Sequence, residues 1–289
     1  MKRIFILTMV CFCVTFYGVA QVKNHYGQDV VRKIDVYLPH TVKPYITIQF
    51  KYNNDFELQG ISFDAPATGK IIWNKNGDEL TRTDYNSDGF IEEDVEYRFK
   101  VKNKLVVGCI RDNFGLNGSI LRYVYNYKYD LDNKMVSINR NVFHCEENQD
   151  FVELSDRYKE VFEWDVNGNS FTSTEIGWQW KKESRFEFPI LYENRNYYDN
   201  IINNTNIDLP LLEKAISNFQ RIELATEWCG KHSLYFVNED NGWYFDYTFD
   251  NDYGGNDLSD DNNVGQLQQM DVYNTHKTLE NTYKIYYLE

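Results

Sequence analysis

Hydrophobic and polar residues take turns along most of this chain. In YITIQFKY, residues 45–52, Ile46, Ile48, Phe50 and Tyr52 share one face of an extended segment, and Thr47, Gln49 and Lys51 share the other. VEYRFKV sets Val95, Tyr97, Phe99 and Val101 against Glu96, Arg98 and Lys100, and WYFDYTF brings Trp243, Phe245, Tyr247 and Phe249 to one side. KIDVYL near residue 33 and YKIYYL near the C-terminus follow the same rule, and so does IELATEW, where Ile222, Leu224, Thr226 and Trp228 alternate. A side-chain period of two predicts strands with one packed and one wet face, the usual state of antiparallel sheets. One stretch departs from it: in NNTNIDLPLLEKAI, residues 203–216, Asn206 or Asp208 can cap and Pro210 sits in the first turn, which predicts a short helix near 206–217.

A second device recurs between the alternating runs. Tyr52, Trp73, Tyr85, Tyr129 and Trp164 are each followed by two Asn or Asp positions and, in three of the five, by a Gly. Asn, Asp and Gly accept positive φ, and the short amide and carboxylate side chains bond nearby backbone, so these units read as hairpin turns joining antiparallel strands. DYNSDGFIEE, residues 84–93, is the one that also resembles a calcium loop, with Asp84, Asn86 and Asp88 at alternate positions. Such a loop needs a bidentate Glu at position twelve and a helix on each side. Position twelve is Val95, inside a strand. The hairpin reading therefore takes this stretch, and no metal site is assigned to it.

The fold class that follows is all-β with one short helix: an antiparallel meander forming a curved sheet or a partly closed, porin- or lipocalin-like barrel. No Pro-rich or Ser/Gly-rich linker divides the chain, so 21–289 is expected to be a single domain. Residues 1–20 carry Lys2 and Arg3 before an apolar run and end in Gly18-Val19-Ala20, the grammar of a secretory signal peptide, which predicts export to the periplasm, cell surface or medium. The run is too short for a spanning helix, and no other segment is apolar enough.

Composition narrows the chemistry. The formal net charge is −14, so nucleic acid, bound through Lys and Arg on phosphates, is excluded as a partner. Beyond the signal peptide the cysteines are Cys109, Cys145 and Cys229, which allow one disulfide of any pairing and show no CxxC spacing. The motifs G-x-S-x-G and H-E-x-x-H do not occur, the five histidines are scattered, and no catalytic residue or cofactor is assigned. A carboxylate pair of the glycosidase kind leaves no spacing to search for. In FDNDYGGNDLSDDNN, Asp250, Asp252, Asp257 and Asp260 are weak metal candidates in what reads as a solvated loop. Aromatic surface is the better lead. Tyr123, Tyr125 and Tyr127 share a strand face, as do Trp178 and Trp180, and such rows either pack inward or stack on a sugar ring or peptide.

The segments FEWDVNGNSFTS, FEFPILYENRNYYDNIINNTNIDL and GWYFDYTFDND resemble secreted Bacteroidetes-type proteins carrying a domain of unknown function with a porin-like fold, and their aromatic–Asp turns are similar to those of YD-repeat proteins. The resemblance implies a curved antiparallel meander, export across the inner membrane, and no functional residue that carries over. Short strands with Glu- and Lys-rich faces favour a soluble sheet over a membrane-inserted one. The expected function is a non-enzymatic binding module of the cell envelope for a glycan, peptide or envelope protein. A secreted carbohydrate-active hydrolase and a purely structural component are the alternatives.

Overall fold

The computed structural model describes residues 22–24, 27–67, 69–147, 149–166, 168–181, 184–218, 222–233, 235–240, 242–250 and 266–288; along 155–158, 170–194, 198–202, 214 and 217–218 it describes the backbone only. Sixteen strands follow one another around a single ring: β1 (Val31–Tyr37), β2 (Ile46–Tyr52), β3 (Leu58–Ala65), β4 (Gly69–Asn76), β5 (Glu79–Tyr85), β6 (Val95–Lys102), β7 (Leu105–Phe114), β8 (Ile120–Tyr129), β9 (Met135–Cys145), β10 (Val152–Trp164), β11 (Ser170–Lys181), β12 (Ser184–Ile202), β13 (Tyr235–Asp240), β14 (Trp243–Phe249), β15 (Leu267–Tyr273) and β16 (Leu279–Tyr287). Each pairs antiparallel with the next, and β16 returns to β1 with Ile34 opposite Ile285 and Val36 opposite Tyr283. The all-β meander read from the alternation is observed, and the ring is closed.

The polarity of the two faces decides what surrounds the barrel. Ile34, Val36, Ile46, Ile48, Phe50, Ile61, Phe63, Ile71, Trp73, Tyr283 and Ile285 are buried, and the register places them on one continuous face. In a closed ring that face is the lumen. The alternate positions point outward and are mostly polar, with Ile72, Ile110, Val124 and Phe143 as apolar exceptions: Lys33, Asp35 and Thr47 form one outward group, and Thr282, Asp271 and Gln269 another. Asp112, on the outer face of β7, is only 2 % exposed because Arg98 and Arg122 from the flanking strands both bond it. A lipid-facing barrel has the reverse arrangement, apolar outside and polar within. Charged side chains along this outer wall are compatible with water and costly in hydrocarbon.

Four of the five predicted turn units, and a further one at Asn274, share one geometry; at the Trp73 unit β4 instead runs on to Asn76, paired with Glu79, and Gly77 with positive φ makes the turn. In each of Asn53–Glu57, Asn86–Phe90, Asp130–Lys134, Asp165–Asn169 and Asn274–Thr278, the first residue donates its backbone N–H to the carbonyl of the fifth. Its side-chain oxygen accepts from the backbone N–H of the fifth as well, at 2.8–3.1 Å. The fourth residue has positive φ: Phe56, Gly89, Asn133, Gly168 and Lys277. Asp84, the first residue of the calcium-like stretch, instead holds Arg82 through two bonds of 2.7 and 2.8 Å. Asn86→Ala removes two acceptor contacts and should cost about 1–2 kcal/mol, seen as a lower urea midpoint at an unchanged slope.

Eight strands suffice for side chains to fill a barrel, whereas sixteen leave a channel. Here the lumen is occupied by the connection between β12 and β13. It contains the helix α1 (Leu209–Asn218) followed by two 3-10 turns, Ile222–Ala225 and Glu227–Cys229. Of the two caps the sequence allowed, Asn206 and Asp208, it is Asp208 that caps the helix, accepting from the N–H of Leu211. The strand expected at IELATEW does not form. Every residue from Ile222 to Cys229 is buried, so the segment has no wet face for alternation to describe, and the 3-10 turns satisfy its backbone locally, with Thr226 capping the second. Ile207, Leu209, Leu212, Ile216, Ile222, Leu224 and Trp228 join the inward strand residues in one apolar cluster.

Polar bonds fix the insert to the wall. Asn206, fully buried, accepts from the N–H of Val31 and donates to the Tyr52 hydroxyl, which donates to the carbonyl of Val31. Further in, Glu213 of α1 accepts from Tyr283 Oη and Asn281 Nδ2 of β16. Burial raises the Glu213 pKa, outweighing those two donors, which favour the ionised form. A raised native pKa means the folded state holds the proton more tightly than the unfolded one. Glu213 therefore costs nothing below the ordinary carboxylate range, and stability falls as pH rises from that range through the raised value. Glu213→Gln should flatten that part of the stability–pH profile, measured as the difference between variant and parent melting temperatures from pH 4 to 8.

Candidate functional site: an arginine–aromatic row on the lumen wall

One row of inward positions breaks the apolar rule. Trp73 of β4 lies opposite Arg82 of β5, Arg82 opposite Tyr97 of β6, Tyr97 opposite Arg111 of β7, and Arg111 opposite Tyr123 of β8. Cations and rings alternate across five strands at a single level. The Arg82 guanidinium carbon is 5.0 Å from the Trp73 ring centroid and 3.9 Å from that of Tyr97. Arg111 is 5.8 Å from Tyr97 and 5.5 Å from Tyr123, and Arg140 of β9 reaches Tyr123 from the far side at 5.7 Å. Directly opposed pairs are the neighbours that interact in a sheet, and an arginine over an aromatic face gains most where water is excluded.

The row is graded. At one end Trp73, Arg82 and Tyr97 are buried; at the other Arg111, Tyr123 and Arg140 are half-buried. At the buried end, desolvation works most strongly against the charge on Arg82, but the fork to Asp84 together with the fields of Tyr97 and Glu223 outweighs it and raises the arginine's pKa. Burial pushes the Tyr97 hydroxyl up to about 12 despite the two arginines beside it, so it stays a neutral donor. Glu223, on the first 3-10 turn of the insert, adds negative field at Arg82 and Tyr97. The buried end is thus held by carboxylates, while the half-open end presents two guanidinium groups about one phenol ring.

The predicted binding residues fall in different places. Tyr123 is a member of the row. Tyr125 lies opposite Arg140 and is half-buried, and Tyr127, 5 % exposed, packs opposite Ile138. Trp178 and Trp180 lie on β11 opposite Glu187 and Arg185, and their side chains fall outside the described residues. Of the acidic loop, Asp250 donates its N–H to the carbonyl of Gln266, and Asp252, Asp257 and Asp260 lie outside the described residues. Among the described residues no three His, Cys, Asp or Glu side chains converge as a metal site would require. No disulfide joins Cys109, Cys145 and Cys229. The arginines of the row went unread in the sequence. Their signal was available: in ELTRTDY, Arg82 shares a parity with buried Leu80, so the alternation places a cation on the packed face.

A second charged group lies where the insert leaves the wall. Arg195 of β12 bonds Asp240 of β13 at 3.0 Å and lies 3.9 Å from Asp208, and His232 Nδ1 is also 3.9 Å from Asp208. Burial lowers the His232 pKa, keeping the ring neutral. All four side chains are at most 10 % exposed, so the group anchors the insert and has no opening to a substrate.

This arrangement of strands has solved counterparts. A porin-like protein from Bacteroides vulgatus ATCC 8482 aligns over 90 % of this chain and 99 % of its own with a TM-score of 0.53 at 12 % identity. A porin-like protein from Bacteroides uniformis ATCC 8492 aligns over 89 % and 96 % with a TM-score of 0.51 at 11 % identity. The fold is porin-like. No family model matches the chain. No curated protein matches it either. At these identities the likeness extends to the porin-like fold and to no residue of the row.

Proposed function

We propose that this chain is an exported, non-enzymatic binding protein of the cell envelope, with its ligand site at the half-open end of the row formed by Arg111, Tyr123 and Arg140. The signal-peptide grammar of residues 1–20 and the porin-like fold support the location. The carrying observation is the placement of two half-buried arginines, with guanidinium carbons 5.5 and 5.7 Å from the ring centroid of half-buried Tyr123, on the lumen wall. A ring offers an apolar platform for a sugar face, and guanidinium groups pair with carboxylate or sulfate in a forked geometry. The ligand that fits both is an acidic glycan. Membership of the secreted domain of unknown function that the turn motifs resemble accords with this reading.

A thermal-shift panel of oligogalacturonate, neutral glucan fragments and basic peptides tests it. Oligogalacturonate should raise the melting temperature, the neutral glucan should not, and Arg111→Ala and Tyr123→Ala should each abolish the shift. Release of reducing ends from any of these glycans would assign the protein to the hydrolases instead. No shift with any acidic glycan would leave the row a structural feature of the wall.

A further inference from the structure

Strand connections in an up-and-down barrel alternate between its two ends. Of the twelve large apolar side chains exposed among the described residues, ten lie at the end formed by the β1–β2, β5–β6, β7–β8, β9–β10 and β13–β14 connections. Only Leu131 and Val166 lie at the other. Scattered exposed apolar residues need no explanation, but this grouping does. Seven of the ten come from three connections that are neighbours around the ring, among them Phe90 (70 % exposed), Ile91 (56 %), Leu116, Phe151 and Val152 (64 %). The three are tied together. The N–H of Phe114 donates to the carbonyl of Asp94 at 2.8 Å, Glu147 packs against Gly118, and Arg122 lies 3.9 Å from the Phe151 ring centroid.

Acidic side chains ring these apolar ones. Asp88, Glu93, Asp94, Glu146, Glu147 and Asp150 are all exposed on the same three connections. We propose that this end of the barrel is a docking surface for a protein segment that is both apolar and basic. Apolar residues inside a charged margin are the anatomy of a protein interface, and the sign of the margin selects the partner. An anionic leaflet would be repelled by it. A second copy meeting the surface about a two-fold axis would bring the same acids face to face. The surface lies on the barrel's rim and shares no residue with the glycan site on the inner wall.

The test uses the exported chain and three labelled synthetic peptides: one alternating Lys and Leu, one alternating Glu and Leu, and one alternating Lys and Ser. Fluorescence anisotropy should show binding of the Lys–Leu peptide alone. The triple variant Phe90→Ser, Ile91→Ser, Leu116→Ser and the double variant Glu93→Lys, Glu146→Lys should each raise its Kd tenfold or more. Leu131→Ser with Val166→Ser, at the opposite end, should change it less than twofold. These positions are exposed, so circular dichroism of the variants should match the parent. Failure of the Lys–Leu peptide to bind, equal binding of the Lys–Ser peptide, or equal loss in the opposite-end variant overturns the proposal. Self-association that the triple variant abolishes, or cosedimentation with phosphatidylcholine vesicles that it abolishes, would assign the surface to a second copy or to lipid and likewise overturn it.

Discussion

Trp228→Ala is expected to lower the melting temperature by on the order of 10 °C, through a loss of about 3–5 kcal/mol. Trp228 is 1 % exposed, and its Nε1–H donates to the carbonyl of Leu58 at 3.0 Å. The neighbouring Glu227 accepts from the N–H of Leu58 at 2.8 Å, so the turn and the start of β3 hold each other through both backbone groups of one residue. A cavity of about 170 Å³ already lies beside the indole, lined by Glu57, Lys75, Lys104, Leu105, Asn133 and Glu227. Truncation would enlarge a space that the wall has not closed, which places the cost at the upper end of the usual range. Trp228→Phe would keep most of the packing and lose the bond to Leu58, and should cost about 1–2 kcal/mol. A change of less than 2 °C in Trp228→Ala would show that the insert does not support the barrel.

The second large effect belongs to Arg195. Arg195→Ala would leave Asp240, 1 % exposed, and Asp208 without the guanidinium that faces both, at a cost of about 3–5 kcal/mol. Most of that cost comes from the carboxylates left behind in a dry environment. Arg195→Met combined with Asp240→Leu should therefore be markedly more stable than Arg195→Ala alone, although it removes more charge. Urea unfolding of the parent and both variants decides the matter. If the double variant is no better than the single one, the pair stabilises the native state directly and the desolvation argument fails. The neighbouring His232, neutral because it is buried, adds a pH signature. Its lowered native pKa makes stability fall as pH drops below the ordinary histidine value, in the opposite sense to Glu213.

Much of the wall was legible because strands write their environment locally. Thr47 and Ile48 report outward and inward faces by adjacency alone, and Asn86 or Asp130 forms a turn with atoms from within five residues. The same locality explains the misreading of IELATEW. Its alternation is genuine in the letters, yet Ile222, Leu224 and Trp228 meet apolar neighbours on every side because the whole segment is inside the ring. The arginine row escaped for a related reason. Arg82 and Arg111 each look like an ordinary polar residue within one strand, and become a row only when the register aligns them with Trp73, Tyr97 and Tyr123, with Arg140 reaching Tyr123 from its place opposite Tyr125.

The amino-acid sequence alone determined that the chain is an antiparallel meander with one capped helix, that Asn and Asp make its turns, and that the motifs G-x-S-x-G and H-E-x-x-H do not occur. Those properties rest on interactions between residues two to five apart, which the order of the letters contains. Only the tertiary structure decided that sixteen strands close on themselves, that the apolar face points inward and the charged face outward, and that the helical insert fills the space. Each of these depends on contacts such as Val31 with Asn206 or Leu58 with Trp228, whose partners are 175 and 170 residues apart. Pairings over such separations are set by the sum of every strand's register and by the volume left to fill, quantities that no short window of sequence holds.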